Sequence, residues 1–156
     1  MGLLDDAARE NKRAVELDPL SLNITAEMGS VLIYQGQYDA AIEQERKTLE
    51  LDPNFHVAHS ILGKAFLLKG KYADAITEGQ KAGNDFVLAR AYLKSGNSGK
   101  AREVVQDLVD VSKKRFVSAD DIASGYIGLE DKERALEWLE KAQTRNSRRS
   151  GQLHQD

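Results

Sequence analysis

Apolar residues along the chain recur every three or four positions, the spacing of one helix face and not of a strand. Residues 98–114 show it plainly: Ala101, Val104, Val105, Leu108 and Val109 form a single stripe. Residues 131–146 repeat it with Ala135, Leu136, Leu139 and Ala142, so these side chains are expected to face inward. Asp18-Pro19 and Asp52-Pro53 stop the helices before them, because the residue preceding a proline is pushed out of the helical region. Gly36, Gly70 and Gly96 supply turns where the chain needs a positive φ. Ser118 followed by Asp120 and Asp121 reads as a capping hydroxyl with negative charge in the first turn. The pattern predicts helices at 3–17, 21–35, 38–51, 55–69, 72–82, 85–95, 98–114, 119–129 and 131–146. The helix that starts at Tyr72 should end early. Gly79 and Gly83 lie in or just after it, and a glycine inside a helix costs roughly 1 kcal/mol relative to alanine.

The stripes also repeat at a fixed distance. Glu16-Leu17-Asp18-Pro19 returns as Glu50-Leu51-Asp52-Pro53, a step of 34 residues. Gly29, Gly36, Tyr38, Ala41 and Ile42 return at the same step as Gly63, Gly70, Tyr72, Ala75 and Ile76. Later in the chain, Ala89, Tyr92, Ala101 and Val105 return as Ala123, Tyr126, Ala135 and Leu139. The two series are out of phase. Gly70 to Gly96 is only 26 residues, so about eight are missing around residues 79–86. A period of this length marks stacked units, none of which buries enough surface to fold alone.

These residues resemble the tetratricopeptide repeat, a helix–turn–helix unit of 34 residues, over about residues 3–146. Gly29, Gly63, Ala89 and Ala123 match the family's close-packing site on the first helix of each unit. Ala41, Ala75, Ala101 and Ala135 match the one on the second helix, and Pro19 and Pro53 the repeat-ending proline. Thr25, His59 and Ile122 stand near where the family often has tryptophan, while Glu45 and Gly79 occupy a usual core site. The resemblance implies an all-α fold, an α-solenoid whose antiparallel helix pairs build a right-handed superhelix. It would comprise a partial repeat at 3–19, contributing an unpaired N-terminal helix, and four repeats at about 22–53, 56–82, 84–114 and 117–146. These would form a single domain over 1–146, followed by a polar tail at 147–156. The run from Arg134 to Ala142, after Phe116-Val117-Ser118, is similar to the closing repeats of large bacterial multidomain regulatory and signalling proteins. The chain is therefore expected to be a fragment of one.

In the family, the first helices line a concave face that holds a protein or peptide. Carried over by position, this implies Asn23, Ser30, Ile33 and Tyr34 from the first full repeat, and Ser60, Lys64, Leu67 and Leu68 from the second. The third would contribute Phe86, Arg90, Leu93 and Lys94, and the last Asp120, Ser124 and Ile127. Lys64, Arg90 and Lys94 would make a positive centre flanked by Tyr34, Leu68 and Phe86, suited to a partner with an acidic group. Ala26 and Ser30 stand where the chaperone-binding members carry Lys and Asn, so that particular carboxylate clamp is not expected. Leu4 and Trp138, near the two ends, are candidate end or oligomer contacts, Trp138 either as a cover for the array's end or as a surface awaiting a further helix. A structural segment that forms homo-oligomers through those ends is accordingly the second reading.

Composition narrows the chemistry. The chain is 41% hydrophobic and 30% charged, with a net charge of −3, which speaks against a nucleic-acid surface. With no cysteine, disulfides, thiol catalysis and cysteine-held zinc are excluded. No run of about 18 apolar residues and no secretory signal is present, so no membrane span and a cytoplasmic location are expected. His56 and His59 could share a metal, but neither a third ligand nor the glutamate of a zinc helix accompanies them. They read as one exposed and one packed histidine. Gly96-Asn97-Ser98-Gly99-Lys100-Ala101 lacks the leading glycine and the hydroxyl of a phosphate loop, and reads as a hairpin turn. Glu43 with Glu45, and Glu137 with Glu140, are ordinary helix carboxylates. His154 has no nucleophile beside it, and the basic run Arg145 to Arg149 reads as a solvated C-terminus. No catalysis, metal or cofactor is expected.

Overall fold

A computed structural model describes residues 2–18, 20–114 and 116–152, without the side chains of residues 3–5, 7, 8 and 144–152. Among these residues all regular structure is helical: α1 (Leu3–Leu17), α2 (Leu22–Tyr34), α3 (Tyr38–Leu51), α4 (His56–Leu68), α5 (Tyr72–Ala82), α6 (Asp85–Lys94), α7 (Ser98–Ser112), α8 (Ala119–Gly128) and α9 (Lys132–Gln152). Eight of the nine end within two residues of the spans that periodicity predicts. The exception is α9, which continues to Gln152, into residues expected to form a polar tail. Extending a helix is far easier than starting one, and no proline interrupts residues 146–152. Pro19 and His154 lie outside the described residues, as do the side chains of Leu4 and of the basic run from Arg145 to Arg149.

The chain divides into two compact units, residues 1–87 and 88–156, with the boundary inside α6. In the first unit α1 packs on α2, α2 on α3 and α4, α3 on α4, and α4 on α5. Its core is rich in small residues: Ala26, Ala41, Ala58, Ala65 and Ala75 are almost wholly buried, together with Ile61, Leu62, Phe66 and Val87. Small side chains let helix backbones approach. A methyl group at Gly63 would stand 3.1 Å from a Val87 methyl and 3.4 Å from the Gly79 amide nitrogen, leaving no slack. At Gly29 the corresponding space is filled by the Glu45 carboxyl, whose Oε1 would lie 1.8 Å from an added Cβ.

Thr25 and His59 are buried at the positions where the family often has tryptophan. The His59 ring joins three pieces of chain: Nδ1 is 2.6 Å from Glu78 Oε2 on α5, and Nε2 is 2.9 Å from the carbonyl oxygen of Pro53. His56, three residues earlier, is exposed, and the described residues contain no cluster of three metal-ligating side chains. α5 stops at Ala82, where Gly83 takes a left-handed φ of 62° and the Asn84 amide bonds back to the Gly79 carbonyl. Asn84 then serves two sides. Its Oδ1 accepts from the Val87 amide at the start of α6, and its Nδ2 donates to Ser60 Oγ on α4.

In the second unit α7 packs on α8 and α8 on α9. Ala89, Val105, Ile122, Tyr126 and Ala135 form the buried cluster, with Val104, Leu108, Val109, Val117, Leu129 and Trp138 packed around it. Ser118 caps α8, its Oγ accepting from the Asp120 amide, as the sequence implied. The expected stripe on α9 needs correction. Ala135 and Ala142 are buried, but Leu136 is 60% and Leu139 37% exposed. One position along a helix turns a side chain by about 100°. α9 therefore presents Ala135 and Ala142 to α8 and turns the two leucines outward.

Candidate functional site

Each helix hairpin closes in the same way. In the turns between α2 and α3, α4 and α5, and α6 and α7, the glycines Gly36, Gly70 and Gly96 take φ of 74°, 73° and 86°. Each amide bonds back three residues, and the next amide bonds back five, as from Gln37 to Leu32. The turn between α8 and α9 makes the same two bonds, from Glu130 to the Ile127 carbonyl and from Asp131 to the Tyr126 carbonyl. There, however, the left-handed position is held by Glu130, with φ 62°, the one described non-glycine residue at positive φ. A side chain at such a φ ordinarily costs an L-residue about 1 kcal/mol or more.

The Glu130 carboxylate reaches across to α6. Its Oε1 is 2.7 Å from Arg90 Nη1 and 2.9 Å from Lys94 Nζ. Arg90 and Lys94 are four residues apart, hence on one face of α6. The Lys94 hydrogen bond, then the nearby charges of Arg90 and Lys94, hold the Glu130 carboxyl below its usual range. Beside this trio opens a cavity of about 690 Å³, lined by Arg90, Ile127, Glu130, Lys132, Ala135, Leu136 and Leu139. Ile127, Leu136 and Leu139 give it an apolar wall, and all three are partly open to solvent. A site of this kind offers cations to one end of a ligand and apolar surface to the next part of it.

The other residues implied by the repeat pattern fall as follows. On α2, Asn23 and Tyr34 are exposed, Tyr34 to 74%, and Ser30 is half-buried. On α4, which packs beside α2, Lys64 and Leu68 are exposed, while Ser60 is half-buried and already engaged by Asn84. Phe86 is half-buried. On α8, Asp120 is exposed and Ser124 half-buried. Ser60, Lys64 and Leu68 are spaced i, i+4, i+8 along one face. Among the described residues Lys64 has no charged partner, whereas Arg90 and Lys94 are both occupied by Glu130 rather than standing open. Trp138 is half-buried against the second unit's core, with Lys141 Nζ 4.1 Å from its ring centre. The exposed apolar residues of α9 are Leu136 and Leu139.

Glu130 escaped the sequence reading, although a signal existed. The step of 34 from Gly96 lands on it, at the point where three other hairpins use glycine. The exposure of Leu136 and Leu139 carried no such signal, because a stripe's direction is set by what it packs against.

By sequence, residues 26–85 match the family described as tetratricopeptide repeat. No curated protein sequence matches the chain. Among solved structures, a crystal structure of MamA is 22% identical with a TM-score of 0.61, covering 95% of this chain and 91% of that one. The 41-end portion of MamA from Desulfovibrio magneticus RS-1 is 21% identical with a TM-score of 0.62, over 92% of this chain and 85% of that one. A MamA RS-1 ArsTM double mutant is 21% identical, TM-score 0.61, over 99% and 89%. At these identities the likeness to solved structures establishes the fold. Residues 26–85 thus carry the tetratricopeptide-repeat sequence pattern, and the chain as a whole has the stacked helix-pair fold of these structures.

Proposed function

We propose that the chain is a protein-interaction module, not an enzyme, and that it takes a peptide or protein bearing an acidic group on the outward residues of its first helices. The observation that carries this reading is the face of α2 and α4. There Tyr34 and Leu68, two large apolar side chains more than half exposed, stand on adjoining helices with the uncompensated Lys64. Exposed apolar anchors beside a cation supply the contacts an interaction surface uses. In the second unit, Arg90 and Lys94 on α6 are cations paired with Glu130. Selection of a displayed random peptide library on the purified chain should enrich acidic sequences with an apolar anchor. Charge reversal at Lys64 should weaken a selected peptide about tenfold while the helical circular dichroism stays the same. Enrichment of nothing, or an unchanged affinity in that variant, counts against the reading.

A second reading rests on a different surface. Ile127, Leu136 and Leu139 in the second unit, and Leu17 at the end of α1 and Leu20 after it in the first, are exposed apolar residues. They would serve assembly of copies of the chain or attachment to a neighbouring segment.

A further inference from the structure

We propose that Glu130 is a built-in stand-in for the acidic group of the partner: it occupies the Arg90 and Lys94 pair in the free protein, and a ligand carboxylate displaces it. This deepens the reading above and rests on it. Three observations converge. First, the turn does not need a glutamate. Three hairpins in the same chain close with glycine at the same position, and Glu130 holds a backbone conformation that suits glycine better. Second, what the glutamate supplies is a carboxylate placed against two cations, with both nitrogens within 3 Å of one oxygen. An ion pair this exposed contributes little to stability, since the Glu130 side chain is 47% exposed and those of Arg90 and Lys94 are 32% and 42% exposed. Stability therefore does not account for an unfavoured backbone position. Third, the same carboxylate borders the apolar cavity formed by Ile127, Leu136 and Leu139.

The geometry selects the occupant by charge and shape: a short peptide segment whose Asp or Glu lies next to a leucine-sized apolar side chain. The acid would take the place of the Glu130 carboxylate on Arg90 and Lys94, and the apolar side chain would enter the cavity. Because Glu130 is covalently attached, it competes at a high effective concentration. The affinity measured for an outside acid is thus the intrinsic affinity reduced by the fraction of time the cations are unoccupied.

The test uses two fluorescent peptides, one carrying a glutamate between two leucines and the other a glutamine in its place, titrated by anisotropy against the whole chain. Glu130→Gly restores the residue used in the other three turns, and Glu130→Gln removes only the charge. Both variants should bind the glutamate peptide about five- to tenfold more tightly than the wild type and gain nothing for the glutamine peptide. Glu130→Gly should also melt within about 4 °C of the wild type. No gain in either variant overturns the inference, as does an equal gain for both peptides or a melting point lower by more than that, which would make Glu130 a structural staple. Arg90→Glu separates this outcome from the broader reading. If it weakens the glutamate peptide while the Glu130 variants change nothing, the interaction face stands and the stand-in falls. If no protein binds the peptide, or Arg90→Glu has no effect, both fall at this site.

Discussion

A carboxyl group without a hydrogen-bond partner is costly to bury, yet Glu45 is completely buried and both its oxygens lack one. Burial pushes its pKa up to about 8 from 4.5, so at neutral pH the fold holds a neutral carboxyl group over Gly29. The direction of the pH effect follows. Below about 4.5 both folded and unfolded chains keep the proton; from there to about 8 the unfolded chain releases it and the folded chain does not, so stability falls as pH rises. The full loss above about pH 8 is on the order of 3–5 kcal/mol. Glu45→Gln should remove this slope while keeping the shape. Urea unfolding of both proteins at pH 5, 7 and 9 should therefore show a difference that grows with pH, and a constant difference would mean that Glu45 does not titrate in this range. The sequence placed Glu45 at a usual core site but also paired it with Glu43 as an ordinary helix carboxylate; the second reading is corrected, because packing over Gly29 takes the Glu45 carboxyl out of water. That its carboxyl would find no partner could only be seen once Gly29 had been set against it.

At the scale of helices, the two repeats of the first unit solve one packing problem twice. Gly29 faces Glu45 in the first; 34 residues later, Gly63 faces the backbone of Gly79. A side chain is accepted on one helix only because its neighbour has none. Gly29→Ala should accordingly destabilise the domain by about 2 kcal/mol, as overpacking does. In a Glu45→Gly background, which copies the second repeat, the same change should cost at least about 1 kcal/mol less. Additive effects of the two substitutions, measured by denaturant titration, would show that the predicted close approach is absent. The same scale explains why helix ends were legible from sequence and α9 was not. Prolines and glycines punctuate the earlier helices, while residues 146–150 hold neither.

For the molecule as a whole, the leucines of α9 stand exposed. No described helix is long and apolar enough to cross a membrane. If copies of the chain associate through this surface, sedimentation should show a mass that rises with concentration, and Leu136→Asp should return it to the monomer. A monomer at every concentration in the wild type would leave the cavity to a peptide. Trp138 is packed against the second unit's core and only partly buried.

The 34-residue step, the apolar stripes and the turn glycines determined the number of described helices, their pairing into hairpins and, the end of α9 apart, their limits, because those features depend on neighbours along the chain. The tertiary structure decided which face of α9 is inward, which cations are already satisfied, and that a buried acid goes unpartnered. Glu130 lies 36 residues along the chain from Lys94 and 40 from Arg90, and local propensity carries no information about charges that meet only after helices stack.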